Sequence, residues 1–308
     1  MSGPQAETGA RGDLNNRLFS FFLGSVLIVF LVGVALVLMS NVWYLAGARD
    51  TEARGGWELF VAALRDRETH FAIKLSVVSA FLTTLISMFV AIPAAYSLSR
   101  YRLPGAKLID TVLDLPIVVP PPVVGMSLLI FFQTPAGHFV NDITPQWLVR
   151  VTNSFLSLVL GHEISDDGST WVYTTRGIVL AQFFVACSFG VRAVKAAFDT
   201  IGTRHEDVAR TLGCTRRQAL FRVVLPMARA GIVAGAVMTW ARAIAEFGPV
   251  LFFCGSTRWK TEVMPIGMFL LYSAAEIEKA VALVIIMIVI AIVTLLTFKK
   301  LGGQGYLW

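Results

Sequence analysis

The chain has 308 residues, 56% of them hydrophobic and only 15% charged, with a mean hydropathy of +0.70 and a formal net charge of +6. A soluble domain carries about 25% charged residues, so the composition points away from a soluble enzyme and toward the bilayer. The basic excess is scattered through short segments, with no basic arm and no nucleic-acid-binding motif, which points to membrane orientation rather than to DNA or RNA as the partner.

In chain order, a polar tail at 1–17 carrying Arg11 and Arg17 leads into the apolar run 18–40. That run exceeds the 7–15 apolar residues of a typical secretory signal and lacks a small-residue cleavage site, so it reads as a retained first transmembrane helix. Further apolar runs near 71–98, 110–133, 177–196, 229–254 and 279–299 approach the roughly 20 residues a spanning helix needs. The expected fold class is an all-α polytopic membrane protein with six transmembrane helices and a C-terminal tail at 300–308. Lys and Arg concentrate on one set of alternating connections, notably Arg204, Arg210, Arg216, Arg217, Arg222 and Arg229. Arg49, Arg54, Arg65, Arg67, Arg150 and Arg176 fall on the poorer set. The positive-inside bias therefore places both termini in the cytoplasm. Two outer loops, 43–70 and 134–176, contain amphipathic pieces, WELFVAAL and WLVRVTNSFLSLVL, expected at the outer interface.

The third run, LDLPIVVPPPVVGMSLL at 113–129, holds Pro116, Pro120, Pro121 and Pro122 followed by Gly125. Proline removes a helix hydrogen bond, and within a bilayer a break survives only against protein or a water-filled cavity. A plain cap or kink stays open as the alternative, since proline fits a first helical turn. The fifth run contains WARAIAEFGPVLFF at 240–253, with Arg242 and Glu246 four residues apart and hence on one helical face, followed by Phe247 and Gly248. Charges in a span pair with one another or face a pathway. Both readings stay open: a mutual ion pair, or an Arg242 that sets the potential along an anion path with Glu246 limiting how tightly the anion holds.

Between the fourth and fifth runs, 203–226 reads TRHEDVARTLGCTRRQALFRVVLP. Thr203 with Glu206 and Thr215 with Gln218 have capping-box spacing. Gly213 supplies a left-handed helix end, and Pro226 is expected to stop the second helix. The unit is a helix–turn–helix, which from its physics alone could equally be an amphipathic hairpin lying on lipid headgroups. The isolated His162–Glu163 and His205–Glu206 pairs form no H-E-x-x-H site, and His70 and His138 stand apart. Cys187, Cys214 and Cys254 have no metal or disulfide spacing, and Asp166 and Asp167 read as solvated loop acids.

This stretch resembles the cytoplasmic coupling loop of ABC importer permeases, a Glu-Ala-Ala triplet, three residues, Gly, nine residues, then Ile-x-Leu-Pro. Asp207, Val208 and Ala209 occupy the triplet beside Glu206, Gly213 falls in register, and Val223, Leu225 and Pro226 complete the pattern. The proline-rich stretch, the A-R-A-I-A-E-F-G-P stretch and AAYSLSRYRLPGAKLIDTVLDLP at 94–116 are similar to the molybdate, tungstate and sulfate permeases. The resemblance covers about 71–299. Departures include Asp207, Val208 and Val223 in the loop, and Ala245, Pro249 and the long 134–176 loop elsewhere.

What the resemblance implies is a type I importer permease fold, with the 203–226 loop docking on a separate ATPase. The chain has no G-x-x-x-x-G-K-[ST] phosphate loop. It is therefore expected to be no enzyme itself and to carry no cofactor, with ATP and Mg used by the partner ATPase subunits. An extracytoplasmic anion-binding protein and a second permease copy, identical or paralogous, complete the expected assembly. The implied cargo is a tetrahedral oxyanion, molybdate or tungstate first and sulfate next. An ATPase-independent secondary transporter or channel for a small anion is the alternative, and it leaves the coupling loop unexplained.

Overall fold

The computed structural model describes residues 5–47, 55–101, 104–161 and 171–302. Arg49, Arg54, Arg102, the His162–Glu163 pair, Asp166, Asp167 and the tail from 303 onward lie outside the described residues. The elements are all helical: α1 (Gln5–Gly47), α2 (Gly56–Arg65), α3 (Arg67–Arg100), α4 (Ala106–Val118), α5 (Pro121–Phe131), α6 (Pro135–Ile143) and α7 (Gln146–Leu160). They continue with α8 (Thr175–Thr200), α9 (Arg204–Thr211), α10 (Arg216–Ala219), α11 (Leu225–Ile244), α12 (Gly248–Cys254), α13 (Met264–Ser273) and α14 (Ile277–Gly302). Among the described residues five helices are long and apolar enough to cross a membrane, or six if the bent α4–α5 pair counts as one span.

The chain divides into two units, Met1–Val61 and Ala62–Trp308. In the first, α1 extends the expected span in both directions, and its apolar side chains from Phe19 to Tyr44 are largely exposed. A helix apolar all round and unburied is what a lipid-facing span looks like. The chain then returns so closely that a Cβ at Gly56 would lie 1.5 Å from the Leu45 carbonyl oxygen.

The second unit is built on α3, α8 and α11. Water cannot drive helix association inside a bilayer, so close packing of small residues does the work. Ala72, Ser76, Ser79, Ala80, Thr83, Ala91 and Ala95 of α3 are buried, as are Ala181, Ala186 and Gly190 of α8. On α11, Gly231 and Gly235 sit one turn apart where a Cβ would come within 2.1 Å of Ala197 and 3.0 Å of Val194. Buried polar groups are satisfied between helices: Thr83 donates to Gln182 at 2.9 Å, Gln182 to Ser79 Oγ at 3.2 Å, and the Met264 N–H to Ser76 at 2.7 Å. Toward the N-terminal end of α3, α7 is held to α8 by Arg176, which donates to Asn153 at 2.9 Å.

The structure refines the spans and changes the reading of Pro226. The third run is two helices, Lys107–Val118 and Pro121–Phe132, bent by 109°. The fifth begins far earlier than 229, because α10 runs through a π-helical turn (Leu220–Val224) into α11, and it ends at Ile244. Pro226 therefore does not stop the helix. The Leu225 N–H reaches back five residues to the Leu220 carbonyl, and this wider turn lets the helix pass through the missing N–H and the bulk of the proline ring. Residues 245–254 form a break and the separate short helix α12. Finally, α13 is a short apolar helix at 264–273, outside the runs read as spans.

Candidate functional site

The α9–α10 hairpin is shaped by local signals, one of which fails. Thr215 and Gln218 form the full capping box, with bonds of 2.8 and 3.2 Å. Gly213 closes α9 at φ +90°, with its N–H on the Arg210 carbonyl and the Cys214 N–H on the Ala209 carbonyl, each 3.1 Å. That is the left-handed Schellman closure, and an L side chain there is strained even though a Cβ would meet nothing within 4 Å. The Thr203–Glu206 box does not form. Thr203 is already helical and its side chain caps nothing. Glu206 instead turns inward, where it is 8% exposed.

There it accepts a short hydrogen bond from the Tyr96 hydroxyl and one from Arg100 Nε at 3.2 Å. Arg100 also donates to the Phe198 and Ile201 carbonyls at 3.1 and 2.6 Å, closing the C-terminal end of α8. Ser99, Asp199 and Lys195 extend the network, with 2.5 Å from Ser99 to Asp199 and 2.9 Å from Lys195 to Asp199. One carboxylate thus ties α9 to the ends of two spans. Ala209 is buried beside it, while Asp207, Val208 (51% exposed) and Leu212 (81% exposed) point outward. Val223 and Leu225 are half-buried and Pro226 is exposed. The hairpin is a capped knob, tied to α3 through Glu206, with an apolar tip. Tyr96 and Arg100 were not singled out from sequence. Their four-residue spacing places them on one face, but nothing local names Glu206 as the shared partner.

The second group of candidates sits where the broken helices meet. Pro120 is the N-cap of α5, and Pro121 and Pro122 fill its first turn, where an N–H has no helical partner anyway. Pro116 lies inside α4, at the cost of one helix bond. The capping account and the break are both realised. Gly125 and Gly248 let α5 and α12 approach: a Cβ on Gly125 would lie 2.6 Å from Pro249 Cα, and one on Gly248 would lie 2.9 Å from the Pro122 ring. Pro122, Gly125 and Gly248 thus form one contact that sequence treated as two motifs. Glu246 lies beyond the end of α11 rather than on it, yet its Oε2 is 2.5 Å from Arg242 Nη1. The oxygen, in a side chain 2% exposed, has this ion-pair partner but no other polar partner among the described residues. The guanidinium also lies 5.9 Å from the Phe189 ring, and Phe247 packs on Phe269. Further along, Arg192 of α8 grips Asp110 and Asp114 of α4 at 3.3 and 2.5 Å, holding the first half of the broken span. Among the described residues no three His, Cys, Asp or Glu side chains converge as metal ligands.

Residues 84–301 match the family described as the binding-protein-dependent transport system inner membrane component. The chain belongs to that family. The permease is 28% identical over 286 residues to the sulfate transport system permease protein CysT of Escherichia coli, covering 93% of each chain. It is 32% identical over 232 residues to the molybdenum transport system permease protein ModB of Escherichia coli, covering 75% of this chain and 92% of that one. A molybdate/tungstate transport system permease protein, WtpB of Thermococcus kodakarensis, is 32% identical over 235 residues, covering 76% and 78%. A solved bacterial ABC transporter that imports alginate shares the fold, with a TM-score of 0.68 at 18% identity over 95% of this chain and 98% of that one. These relatives are permeases, so this chain is a transport component of the inner membrane and not an enzyme.

Proposed function

We propose that the chain is the permease subunit of an ATP-driven ABC importer for a tetrahedral oxyanion, molybdate or tungstate first and sulfate next. The α9–α10 hairpin carries the reading: a capped, apolar-tipped knob buttressed by Glu206 can pass a push on Asp207, Val208 and Ala209 directly to α3 and α8. Gly213 sets the turn, and Val223, Leu225 and Pro226 join the knob to α11. Two ATPase subunits would dock here on the cytoplasmic side, which also holds both termini, and would consume ATP and Mg. An extracytoplasmic binding protein would deliver the anion to the opposite face of a permease pair, identical or paralogous. ATPase closure would then favour the outward-open state, and hydrolysis would return it, as alternating populations of two states. Pro116, Pro120, Pro121, Pro122, Gly125, Arg242, Glu246, Phe247 and Gly248 are the gate candidates. The relatives named for sulfate and molybdate support the cargo class.

The test is uptake. Cells lacking the gene, exposed briefly to trace molybdate, tungstate or radiolabelled sulfate, are expected to lose accumulation of one of them selectively, and the tagged chain is expected to co-purify with an ATPase. Unchanged uptake of all three together with no ATPase would overturn the proposal.

A further inference from the structure

The end of α3 opposite the α9–α10 hairpin opens on a cavity of about 520 Å3 lined by Arg67, His70, Lys74, Phe71, Gly161 and Trp259. A water molecule occupies about 30 Å3 in the liquid, so the space admits a hydrated small anion with room to exchange. Positions 67, 70 and 74 follow helical spacing and share one face of α3, and all three side chains are exposed. Among the described residues no ion pair or side-chain hydrogen bond engages any of them. The nearby acids are directed elsewhere: Glu68 pairs with Arg258 at 3.3 Å, and it lines with Asp66 and Glu262 a separate small cavity on another side of the helix.

Two physical points give this arrangement meaning. Arg67 opens the first turn of α3, with His70 at its end, where the helix dipole already presents its positive end and where a cation such as Arg67 is unfavourable. The fold gains little from placing Arg67 there, whereas an anion would gain from the side chains and from the positive end of the helix dipole. The cavity also has a firm wall. Trp259, held at φ 62° with its N–H on Glu262, sets its ring 5.6 Å from Phe71.

We infer that this cavity is a low-affinity docking site for a free divalent oxyanion, a waiting position at the mouth of the permease. The inference rests on the importer reading for its direction. The 34 residues of α3 separate the cavity from the hairpin by about 50 Å, so a hairpin on the ATPase side puts the cavity on the delivery side. A phosphate headgroup offers the same chemistry, and the experiment separates the two sources.

The full chain, purified with whatever subunits accompany it and placed in phosphatidylcholine nanodiscs without binding protein, is titrated with radiolabelled sulfate and molybdate. Saturable binding is expected, weakened about tenfold by Arg67→Gln with Lys74→Gln, kept by Arg67→Lys and by the distant Lys107→Gln, and lowered by added sodium chloride. The Arg67 and Lys74 side chains are exposed, so the variants are expected to fold normally. Absent binding, or equal binding by wild type and the double variant, would overturn the site. Loss of sulfate binding on adding phosphatidylglycerol at constant ionic strength would reassign it to a lipid headgroup. Unbound sulfate with weaker binding-protein affinity in the double variant would reassign it to an acidic protein surface. The importer reading fails separately, on uptake and ATPase co-purification, whatever the nanodiscs show.

Discussion

The two ends of α3 treat charge in opposite ways. At the C-terminal end Arg100 is enclosed, its donors shared among Glu206 and the Phe198 and Ile201 carbonyls, and Asp199 is held by Ser99 and Lys195. At the N-terminal end the charges divide between two cavities, with Arg67 and Lys74 beside His70 around one, and Asp66, Glu68 and Glu262 around another where Arg258 pairs with Glu68. Pairing consumes electrostatic interactions inside the fold and makes a joint stiff. Arg67 and Lys74, which pair with nothing among the described residues, stay available to something that arrives from outside. The same helix therefore has an enclosed, paired end and an end with exposed, unpaired cations.

The sharpest way to break this contrast is to remove a charge from each end. The side chains of Arg100 and Glu206 are 8% and 10% exposed, and deleting one partner of such a buried pair costs about 3–5 kcal/mol. Glu206→Ala is expected to lower thermal stability in detergent by that order and to uncouple ATP hydrolysis from uptake. Arg67→Ala, at an exposed position, is expected to change stability by less than about 0.5 kcal/mol. Equal stability losses in the two variants would dissolve the distinction between a stiff joint and an open surface.

A second test works through pH at the N-terminal end. Burial, opposed by the Trp259 N–H and reinforced by Glu68 and Asp66 against Arg258, raises the Glu262 carboxyl from 4.5 to about 7. A raised acid favours the folded state while protonated, so its contribution is complete below 4.5 and disappears as pH rises through about 7. Within that window, stability is expected to fall by about 1.4 kcal/mol per pH unit from this group. Glu262→Gln, which keeps a neutral side chain, is expected to flatten the melting temperature between those limits. An unaltered slope in the variant would mean that the acid face does not hold its proton.

The sequence made the long spans legible because each apolar run is close to the length a bilayer requires, and the hairpin legible because Thr215, Gln218 and Gly213 act within a few residues of themselves. Thr203 and Glu206 show where such reading stops. Their spacing promised a local cap, but Arg100, 106 residues away, offered the carboxylate a charged partner in a buried site. Pro226 misled for a related reason: its cost is local, but the π-helical turn that absorbs it draws on the packing of Val224 and Ala228 against the α3 and α8 cluster. The meeting of Gly125 with Pro249 and of Gly248 with Pro122 could not be read at all, since each motif carries only half of the contact. Helix α13 was passed over because ten apolar residues are too few to signal a span.

The smallest expected effect separates conformation from contact within the hairpin itself. The Gly213 backbone requires a left-handed φ, and the space around it is open, so Gly213→Ala is expected to cost about 1–2 kcal/mol through the backbone alone. Gly213→Asn, a residue that tolerates this region, is expected to recover most of that loss while adding more bulk than alanine. If the knob works as a rigid shape, co-purification with the ATPase follows the same order: glycine, then asparagine, then alanine. An order set by side-chain size, with asparagine worst, would mean that the ATPase packs directly over the turn, and the stiffness assigned to the Glu206 joint would then have to include the partner's surface.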